Sequence, residues 1–369
     1  MLGLPEYELS ARQRIKWSQF ESAFAVSRFR ERLLIEVMAH VLREPFTTRS
    51  EDEGRQADDE HHFKMLIREK FPSLQFLIDQ DAWKLLYDWY SEDEQEALTG
   101  MKAIVAALTC LPEKPVRLPF FAHQVTGNPH TFDTGTRTGK IFIDVLQKKR
   151  ESERPDENLS RTEFYNDLLL SFNLVRDDIM NFVAVNGLLG WTKGQVHPVW
   201  QAAVDTRISW NVPVRHLLEI EEISPARGND VYLVENSGVY STFLDARPTL
   251  PLVCTNGQFR LAAWMLLDKL AANGSVLHYA GDFDPEGLQM ADQILNRFPD
   301  QVRLWGMDLA HYLSSMPAVP ISGKRLVKLK NIRSDELREL ATQMQSIKRA
   351  GYQEAISQKL LDEIGLRGK

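Results

Sequence analysis

Two aspartates separated by one residue are the clearest candidates for chemistry in this chain. Asp282 and Asp284 lie in the segment YAGDFDPEG (279–287), which follows a short apolar run and precedes an amphipathic pattern. At the end of a strand, such a pair could bind a divalent cation, because Mg²⁺ takes carboxylate oxygens and keeps positions open for phosphate oxygens. The same residues could instead form an acidic turn, with Asp284 near a helix N-cap and Pro285 in the first helical turn.

A third carboxylate lies at the end of an earlier predicted strand, because Glu235 follows the apolar residues 231–234. Strands are predicted at 231–234, 251–254, 276–280 and 302–305, and helices between them at 239–246, 258–272 and 286–297. Strands and helices that alternate in this way predict a parallel sheet covered by helices, with the carboxyl ends of all strands at one edge. Glu235 can therefore converge with Asp282 and Asp284.

The elements that must hold these acids occupy the second part of an α/β protein. We predict a mainly helical region over 1–224, with an internal boundary or exposed loop at the charged residues 148–158, and a domain with a four-stranded parallel sheet and a basic helical extension over 225–369. In the first region, helices are predicted at 15–42, 61–70, 74–90 and 93–111, and a helix pair over 160–189 could form a winged-helix-like module.

The composition is that of a soluble globular protein. Hydrophobic residues make up 43% and charged residues 26% of a 369-residue chain, which is long enough for two or three domains. Two cysteines, Cys110 and Cys254, cannot build a disulfide framework, which favours a reducing compartment. No stretch approaches the ~20 apolar residues of a membrane span, and the N-terminus lacks a signal-peptide pattern, so we expect a cytoplasmic protein.

The residues around the acids resemble a known family. A glutamate after the first strand and a D-x-D pattern after the third resemble the Toprim domain of topoisomerases, primases and several nucleases. The segments VEN (234–236), PLVCTNG (251–257) and YAGDFDPEG resemble, more specifically, the Toprim domain of JetD-type proteins. These are the nuclease subunits of Wadjet anti-plasmid defence systems and are related to the A subunit of topoisomerase VI. Weaker similarity lies at TGNPHTFD (126–133) and YQEA (352–355).

This resemblance implies a metal-dependent DNA endonuclease that cleaves phosphodiesters of closed-circular DNA with water activated by a metal. It implies Mg²⁺ or Mn²⁺, with two ions held by Glu235, Asp282 and Asp284. Glu286 and Glu354 are further candidate metal ligands, and four residues are expected around the ions or along the cleft: Asn236, Asn256, Gly281 and Gly287. The expected partners are plasmid DNA, an SMC-like ATPase complex with its accessory subunits, and a second copy of the chain in a homodimer.

Charge is unevenly distributed along the chain. The net charge is -7, but the C-terminal extension carries Lys324, Arg325, Lys328 and Lys330. These side chains could contact DNA phosphates, which would give affinity independent of sequence. They could equally form a solvated basic helix face, in which case partner proteins would bring the acidic chain to DNA.

His130 and Asp133 have two interpretations. They could reach the cleavage site from the N-terminal region, with His130 moving a proton or contacting a phosphate. Alternatively, they belong to a turn and cap the helix that begins near Thr136.

Three other functions are compatible with the same residues. A topoisomerase VI-like transesterase would use these acids with a tyrosine nucleophile, for which the upstream candidates are Tyr7, Tyr87, Tyr90 and Tyr165. A non-catalytic DNA-binding subunit would keep the fold without needing the metal. An enzyme that acts on small nucleotides is the third, because a sheet edge does not select the size of the substrate.

Overall fold

The computed structural model describes residues 16–43, 49–150 and 161–367. The chain forms two compact units, residues 1–91 and 92–369. A helical N-terminal region precedes a region with parallel strands, so the predicted α/β class is confirmed. None of the described helices is both long and apolar enough to cross a membrane.

Every regular element described in the first unit is a helix, and turns connect these helices. Its helices are α1 (Trp17–Ala25), α2 (Leu34–Leu42), α3 (Arg49–Lys70), α4 (Gln75–Asp79) and α5 (Lys84–Glu92), with a 3₁₀ turn at Pro72–Leu74. The sequence predicts one helix over 15–42, but the chain leaves the helix after Ala25. The Ser27 hydroxyl accepts the Phe29 N–H and donates to the Phe24 carbonyl, so it offers the backbone an alternative to helical bonds.

The second unit contains the remaining helices and all described strands. Its helices are α6 (Glu94–Thr109), α7 (Leu118–Thr126), α8 (Arg137–Lys149), α9 (Arg161–Ser171), α10 (Pro198–Thr206), α11 (Val214–Glu219), α12 (Ser237–Ala246), α13 (Leu261–Ala272), α14 (Pro285–Arg297), α15 (Leu309–Ser314), α16 (Gly323–Leu326), α17 (Asp335–Ile347) and α18 (Ser357–Arg367). Its strands are β1 (Val116–Arg117), β2 (Leu174–Val175), β3 (Phe182–Asn186), β4 (Leu188–Thr192), β5 (Gln195–Val196), β6 (Trp210–Pro213), β7 (Glu222–Pro225), β8 (Asp230–Val234), β9 (Leu252–Cys254), β10 (Val276–Ala280), β11 (Val302–Leu304), β12 (Val319–Pro320) and β13 (Arg349–Ala350). Short 3₁₀ helices lie at Val327–Asn331 and Gln353–Ile356.

The helix pair predicted over 160–189 is wrong in its second half. Helix α9 ends at Ser171, and Asn173 adopts a left-handed φ of 57° that turns the chain. Strands β2 and β3 then follow, because alternating β-branched residues such as Val183 and Val185 pack well on a pleated surface. The predicted boundary at 148–158 falls outside the described residues from 151 onward.

The main sheet has six strands, in the order β11-β10-β8-β9-β3-β6. Strands β11, β10, β8 and β9 are the four parallel strands expected from the sequence. Strand β3 extends the sheet by antiparallel pairing with β9, and β6 pairs antiparallel with β3, so the sheet has two strands more than the four predicted. Both added strands precede residue 225, and the sheet therefore uses chain from either side of the predicted domain boundary.

The strand order creates a crevice between β8 and β10. From β8 the chain passes through α12 to β9 on one side, whereas α13 carries it back to β10 on the other side of β8. Connections that leave in opposite directions open a crevice at the carboxyl ends of the strands, where ligands bind in open α/β sheets. Ala280 pairs with Val234 in this register, so Gly281 and Glu235 follow at the same level.

The C-terminal segment returns to this crevice. Strands β12 and β13 form an antiparallel ladder, and beyond it Gly351 pairs with Phe283. The Phe283 N–H donates to the Gly351 carbonyl at 3.0 Å, and the Gly351 N–H returns a bond to the Phe283 carbonyl at 3.1 Å. This pairing places the 3₁₀ helix at Gln353–Ile356 against the turn that contains the aspartates.

Candidate metal centre

Glu235 and Asp282 form the buried part of the acidic cluster. Glu235 directly follows β8, and Asp282 lies two residues beyond β10, on the neighbouring parallel strand. The Asp282 N–H donates to Glu235 Oε2 at 3.3 Å. The convergence predicted from the ends of the strands is therefore present in the structure.

Both of these carboxyl groups have raised pKa values. Burial, reinforced by the charge of Asp282, raises the pKa of Glu235 from its usual 4.5 to about 7. Burial and the charges of Glu354 and Asp284 raise the pKa of Asp282 from 3.8 to about 6, against the lowering effect of the Gln353 N–H. A bound cation would favour the charged form of both groups.

A buried hydroxyl without a partner faces the same space. The Tyr279 side chain is fully buried, and its hydroxyl has no hydrogen-bond partner in the described part of the chain. A Cβ atom on Gly281 would lie 2.7 Å from the Tyr279 hydroxyl and 3.1 Å from Glu235 Oε2. The hydroxyl and the carboxylate thus border the space above Gly281, and buried polar groups of this kind normally have a partner. The donor set fits a hard cation that keeps some of its water.

Asp284 forms the helix cap that was one of the two roles considered for it from the sequence, and its role as a metal ligand stays a prediction. Its Oδ1 accepts the Gly287 N–H at 2.7 Å and so caps α14, with Pro285 in the first turn. Its Oδ2 accepts a hydrogen bond from Arg325 at 2.5 Å. Gly287 is tightly enclosed, because a Cβ there would lie 2.2 Å from the Asp282 carbonyl oxygen.

Glu286 is fully engaged by basic side chains. Arg325 donates to it from Nε at 3.0 Å and from Nη2 at 2.5 Å, and Lys328 Nζ donates at 2.8 Å. Although burial raises it, these bonds and charges lower the pKa of Glu286 from 4.5 to about 2. Arg325 and Lys328, which the sequence places among the DNA phosphate contacts, therefore contact the acids in this structure.

The other two basic residues of that set are exposed. Lys324 and Lys330 form no ion pair with any described residue. A role for them in phosphate binding stays a prediction.

Asn236 and Glu354 meet across the edge of the site. Asn236 Oδ1 caps α12 by accepting the Gly238 N–H at 2.7 Å, and its Nδ2 donates to Glu354 Oε1 at 2.6 Å. The neighbouring Gln353 N–H donates to Asp282 Oδ1 at 2.8 Å. The C-terminal segment therefore contributes directly to the acidic cluster.

The turn after β9 lies against the backbone of Glu235. Asn256 and Gly257 both have positive φ angles, 52° and 86°, and the Gly257 N–H donates to the Glu235 carbonyl at 3.2 Å. Asn256 itself is exposed at the same sheet edge. No contact between Asn256 and the acids is present among the described residues, so its place in the cleft stays a prediction.

His130 and Asp133 interact with each other at the surface. His130 Nδ1 lies 2.9 Å from Asp133 Oδ2, and both side chains are exposed. Helix α8 is capped by Thr136, whose hydroxyl accepts the Gly139 N–H at 2.9 Å. No contact among the described residues joins His130 or Asp133 to the acids, and their cross-domain role stays a prediction.

Sequence reasoning missed three contributions to the cluster. Gln353 acts through its backbone N–H, which no side-chain pattern reveals, although it lies inside the segment singled out at 352–355. Tyr279 fits the apolar pattern of a core strand, and its hydroxyl is the single feature of the sequence that could have indicated another role. The pairing of Arg325 with Asp284 and Glu286 joins residues that are far apart in the chain.

The number of metal ligands is small. Within the described ranges, no three His, Cys, Asp or Glu side chains are arranged so that they could hold a metal ion together. Mg²⁺ is usually bound through one or two carboxylates and several waters. Glu235 and Asp282 provide that number.

Comparison with known families covers nearly the whole chain. The family described as "Protein of unknown function N-terminus (DUF3323)" matches residues 2–190, more than half of the 369 residues. The family described as "Protein of unknown function C-terminus (DUF2399)" matches residues 210–364, which include β8, β10 and the acidic cluster. A search of curated proteins found no match.

Proposed function

The chain belongs to the DUF3323 family and carries a DUF2399 region after it, and we propose that it is a metal-dependent DNA endonuclease. The observation that carries this proposal is the pair of partly buried carboxylates, Glu235 and Asp282, at the switch point of a parallel sheet. The finer proposal is a JetD-type Toprim subunit of a Wadjet plasmid-restriction complex. It is supported by the resemblance of the residues around these acids to that family.

The residues of the site have separable tasks in this proposal. Glu235 and Asp282 would hold Mg²⁺ or Mn²⁺, which would supply Lewis acidity and a water of lowered pKa at a phosphodiester. The Tyr279 hydroxyl, which borders the same space as Glu235 Oε2, would be satisfied by the ion or by one of its waters. The Gln353 N–H fixes Asp282, and Asp284 fixes the start of α14.

Two properties of the chain lead us to include DNA and protein partners in the proposal. Lys324 and Lys330 are exposed on the segment that lies beside the acids, where they could contact a phosphate backbone. The net charge of -7 weakens non-specific attraction to DNA, so recruitment by an SMC-like ATPase complex would supply the missing affinity. A homodimer would place one site on each DNA strand, and a plasmid substrate would be met in the cytoplasm.

Cleavage of closed-circular plasmid tests the proposed function. The full chain is incubated with plasmid and Mg²⁺ or Mn²⁺, alone and together with its ATPase partners. Glu235→Gln and Asp282→Asn are expected to lower cleavage on the order of 100-fold or more, since each removes one ligand charge. Asp300→Asn, at an exposed carboxylate away from the cluster, is the matched control and should cleave like the wild type. Equal cleavage by the wild type and both site variants contradicts the proposed site.

One observation favours a transesterase as the second candidate. Tyr352 is 42% exposed and immediately precedes Gln353, whose N–H binds Asp282. Of the tyrosines considered from the sequence, Tyr165 accepts a hydrogen bond from Arg161, and Tyr7 lies outside the described residues. Tyr87 and Tyr90 pack against Phe63 in the first unit.

The transesterase would leave protein bound covalently to DNA. Radiolabelled plasmid that migrates with the chain in a denaturing gel, and no longer does so after Tyr352→Phe, would support it. Cleavage without any such adduct favours hydrolysis.

A further inference from the structure

The acids at the sheet edge divide into two groups with different partners. Asp284 and Glu286 are both held by Arg325, through contacts of 2.5 Å to Asp284 Oδ2 and 2.5 Å to Glu286 Oε2. Lys328 adds a second cationic partner for Glu286 at 2.8 Å. Two basic side chains therefore balance two carboxylates on this side of the cluster.

The second group has no basic partner among the described residues. Among the described residues, the Glu235 carboxylate accepts only the long bond from the Asp282 N–H, and the Asp282 carboxylate accepts only the Gln353 N–H. The buried hydroxyl of Tyr279, which has no partner in the described ranges, borders the same space. A buried polar group left in this way costs free energy unless a ligand or water satisfies it. The unbalanced charge and the orphaned hydroxyl thus point to the same position for a cation.

We propose that the centre binds a single divalent cation, at Glu235 and Asp282, and that Arg325 and Lys328 take the place of a second metal ion. One divalent charge matches the two partly buried carboxylates of this group, because Asp284 and Glu286 are already balanced and Glu354 is exposed and accepts a hydrogen bond from the Asn236 amide. This inference rests on the proposed function and changes its expected number of ions from two to one.

Arg325 and Lys328 have donors left for a substrate. Their side chains are 37% and 43% exposed, although each is bound to the acids. Arg325 Nη1 has no partner among the described residues, and Lys328 Nζ uses one described bond for its three hydrogens. A phosphate oxygen of the substrate could accept these N–H groups beside the cation, as guanidinium and ammonium groups do at transferred phosphates.

Counting bound Mn²⁺ tests the inference without any need for cleavage. Isothermal titration calorimetry of the full chain with Mn²⁺ at pH 7.5 should give one ion per wild-type chain. The double variant Arg325→Gln/Lys328→Gln frees Asp284 and Glu286 and should bind two. Arg325→Lys keeps the charge and should bind one, which separates the effect of charge from that of altered packing.

A matched control removes two positive charges elsewhere. Lys348→Gln/Lys359→Gln changes two exposed lysines and should still bind one ion. Electron paramagnetic resonance of bound Mn²⁺ gives a second measurement, because two adjacent ions produce a spin-coupled spectrum and one ion does not. Circular dichroism verifies that each variant is folded.

Each result decides the inference. Two ions on the wild type overturn it, and so does a double variant that is folded but still binds one ion. One ion on the wild type and two coupled ions on the double variant support it. If the wild type binds no ion at all, this result contradicts the proposed function together with the inference. The other outcomes bear on the inference alone.

Discussion

At the scale of single residues, the site depends on carboxylates whose charges are balanced to different degrees. Glu286, paired with Arg325 and Lys328, has a pKa of about 2, whereas Glu235 has a pKa of about 7. Both are glutamates at the same sheet edge, so the difference comes from their partners and from burial. The residues with raised pKa values are the ones that gain most from a cation.

The first prediction concerns the stability of the metal-free protein as a function of pH. A carboxyl group whose pKa is raised on folding stabilises the folded state below its unfolded pKa, and this contribution is lost as pH rises through the folded pKa. For Glu235 the loss runs from about pH 4.5 to about pH 7. In excess chelator, the melting temperature should therefore fall between pH 5 and pH 7.5, through a Glu235 contribution of about 2–3 kcal/mol.

Glu235→Gln provides the comparison for this pH dependence. Its melting temperature should fall less over the same pH range, because glutamine does not titrate. An unchanged slope would mean that Glu235 is not held in the environment described. Glu286 acts in the opposite direction, since its lowered pKa contributes stability that is lost only as pH falls from 4.5 towards 2.

The second prediction concerns the glycine under the cation site. Gly281→Ala would place a methyl group 2.7 Å from the Tyr279 hydroxyl and 3.1 Å from Glu235 Oε2. We expect a loss of about 1–3 kcal/mol in stability, because the buried ring cannot move away freely. Mn²⁺ affinity should also fall. Gly54→Ala, where a Cβ meets nothing within 4 Å, is the control and should be neutral or slightly stabilising in chemical denaturation.

At the scale of elements, the crevice and the segment that closes on it come from different parts of the chain. Strands β8 and β10 pair in parallel and so place Glu235 and Asp282 side by side. The connection that leaves β8 and the connection that enters β10 lie on opposite sides of β8, which opens the crevice between the two strands. The pairing of Phe283 with Gly351 then brings Gln353 to Asp282. The acidic turn is therefore held from both the sheet and the C-terminal segment.

The third prediction separates these two supports. Gly351→Ala would place a Cβ 1.9 Å from Ser315 Oγ, so it should push the C-terminal segment away from the acidic turn. Amide exchange at 351–356 should become faster and cleavage should fall. The double variant Gly351→Ala/Ser315→Ala removes the closest atom and should recover part of both. Faster exchange without any loss of cleavage or of metal binding would show that the sheet alone holds the site.

At the scale of the whole molecule, the acidic cluster belongs to the larger of two compact units. The sheet of this unit includes β3, which lies within the DUF3323 match, and β8 to β11, which lie within the DUF2399 match. Both matched regions therefore contribute to one hydrophobic core. Binding at the cluster should stabilise this unit.

The fourth prediction follows from that linkage. Mg²⁺ at about 100 times its dissociation constant should stabilise the unit by about 2.7 kcal/mol at pH 7.5, because the ion binds the folded state. Differential scanning calorimetry should show an upward shift of the transition that includes the sheet. The variant Glu235→Gln/Asp282→Asn should show no shift, and an equal shift in both proteins would place the ion elsewhere.

The sequence by itself determined the local features of this protein. Apolar runs bounded by turn residues identified β8, β9, β10 and β11, and the position of Glu235 and Asp282 after their strands predicted that they meet. These features are encoded within a few residues, as is the cap that Asp284 forms on α14.

Only the tertiary structure decided which distant residues share the site. The addition of β3 and β6 to the sheet, the pairing of Phe283 with Gly351, and the contacts of Arg325 depend on how elements pack. The basic residues at 324–330 have the same sequence pattern whether they bind phosphates or neighbouring carboxylates. Burial and charge pairing distinguish Glu235 from Glu286, and both are properties of the folded chain because they arise from residues that are distant in sequence.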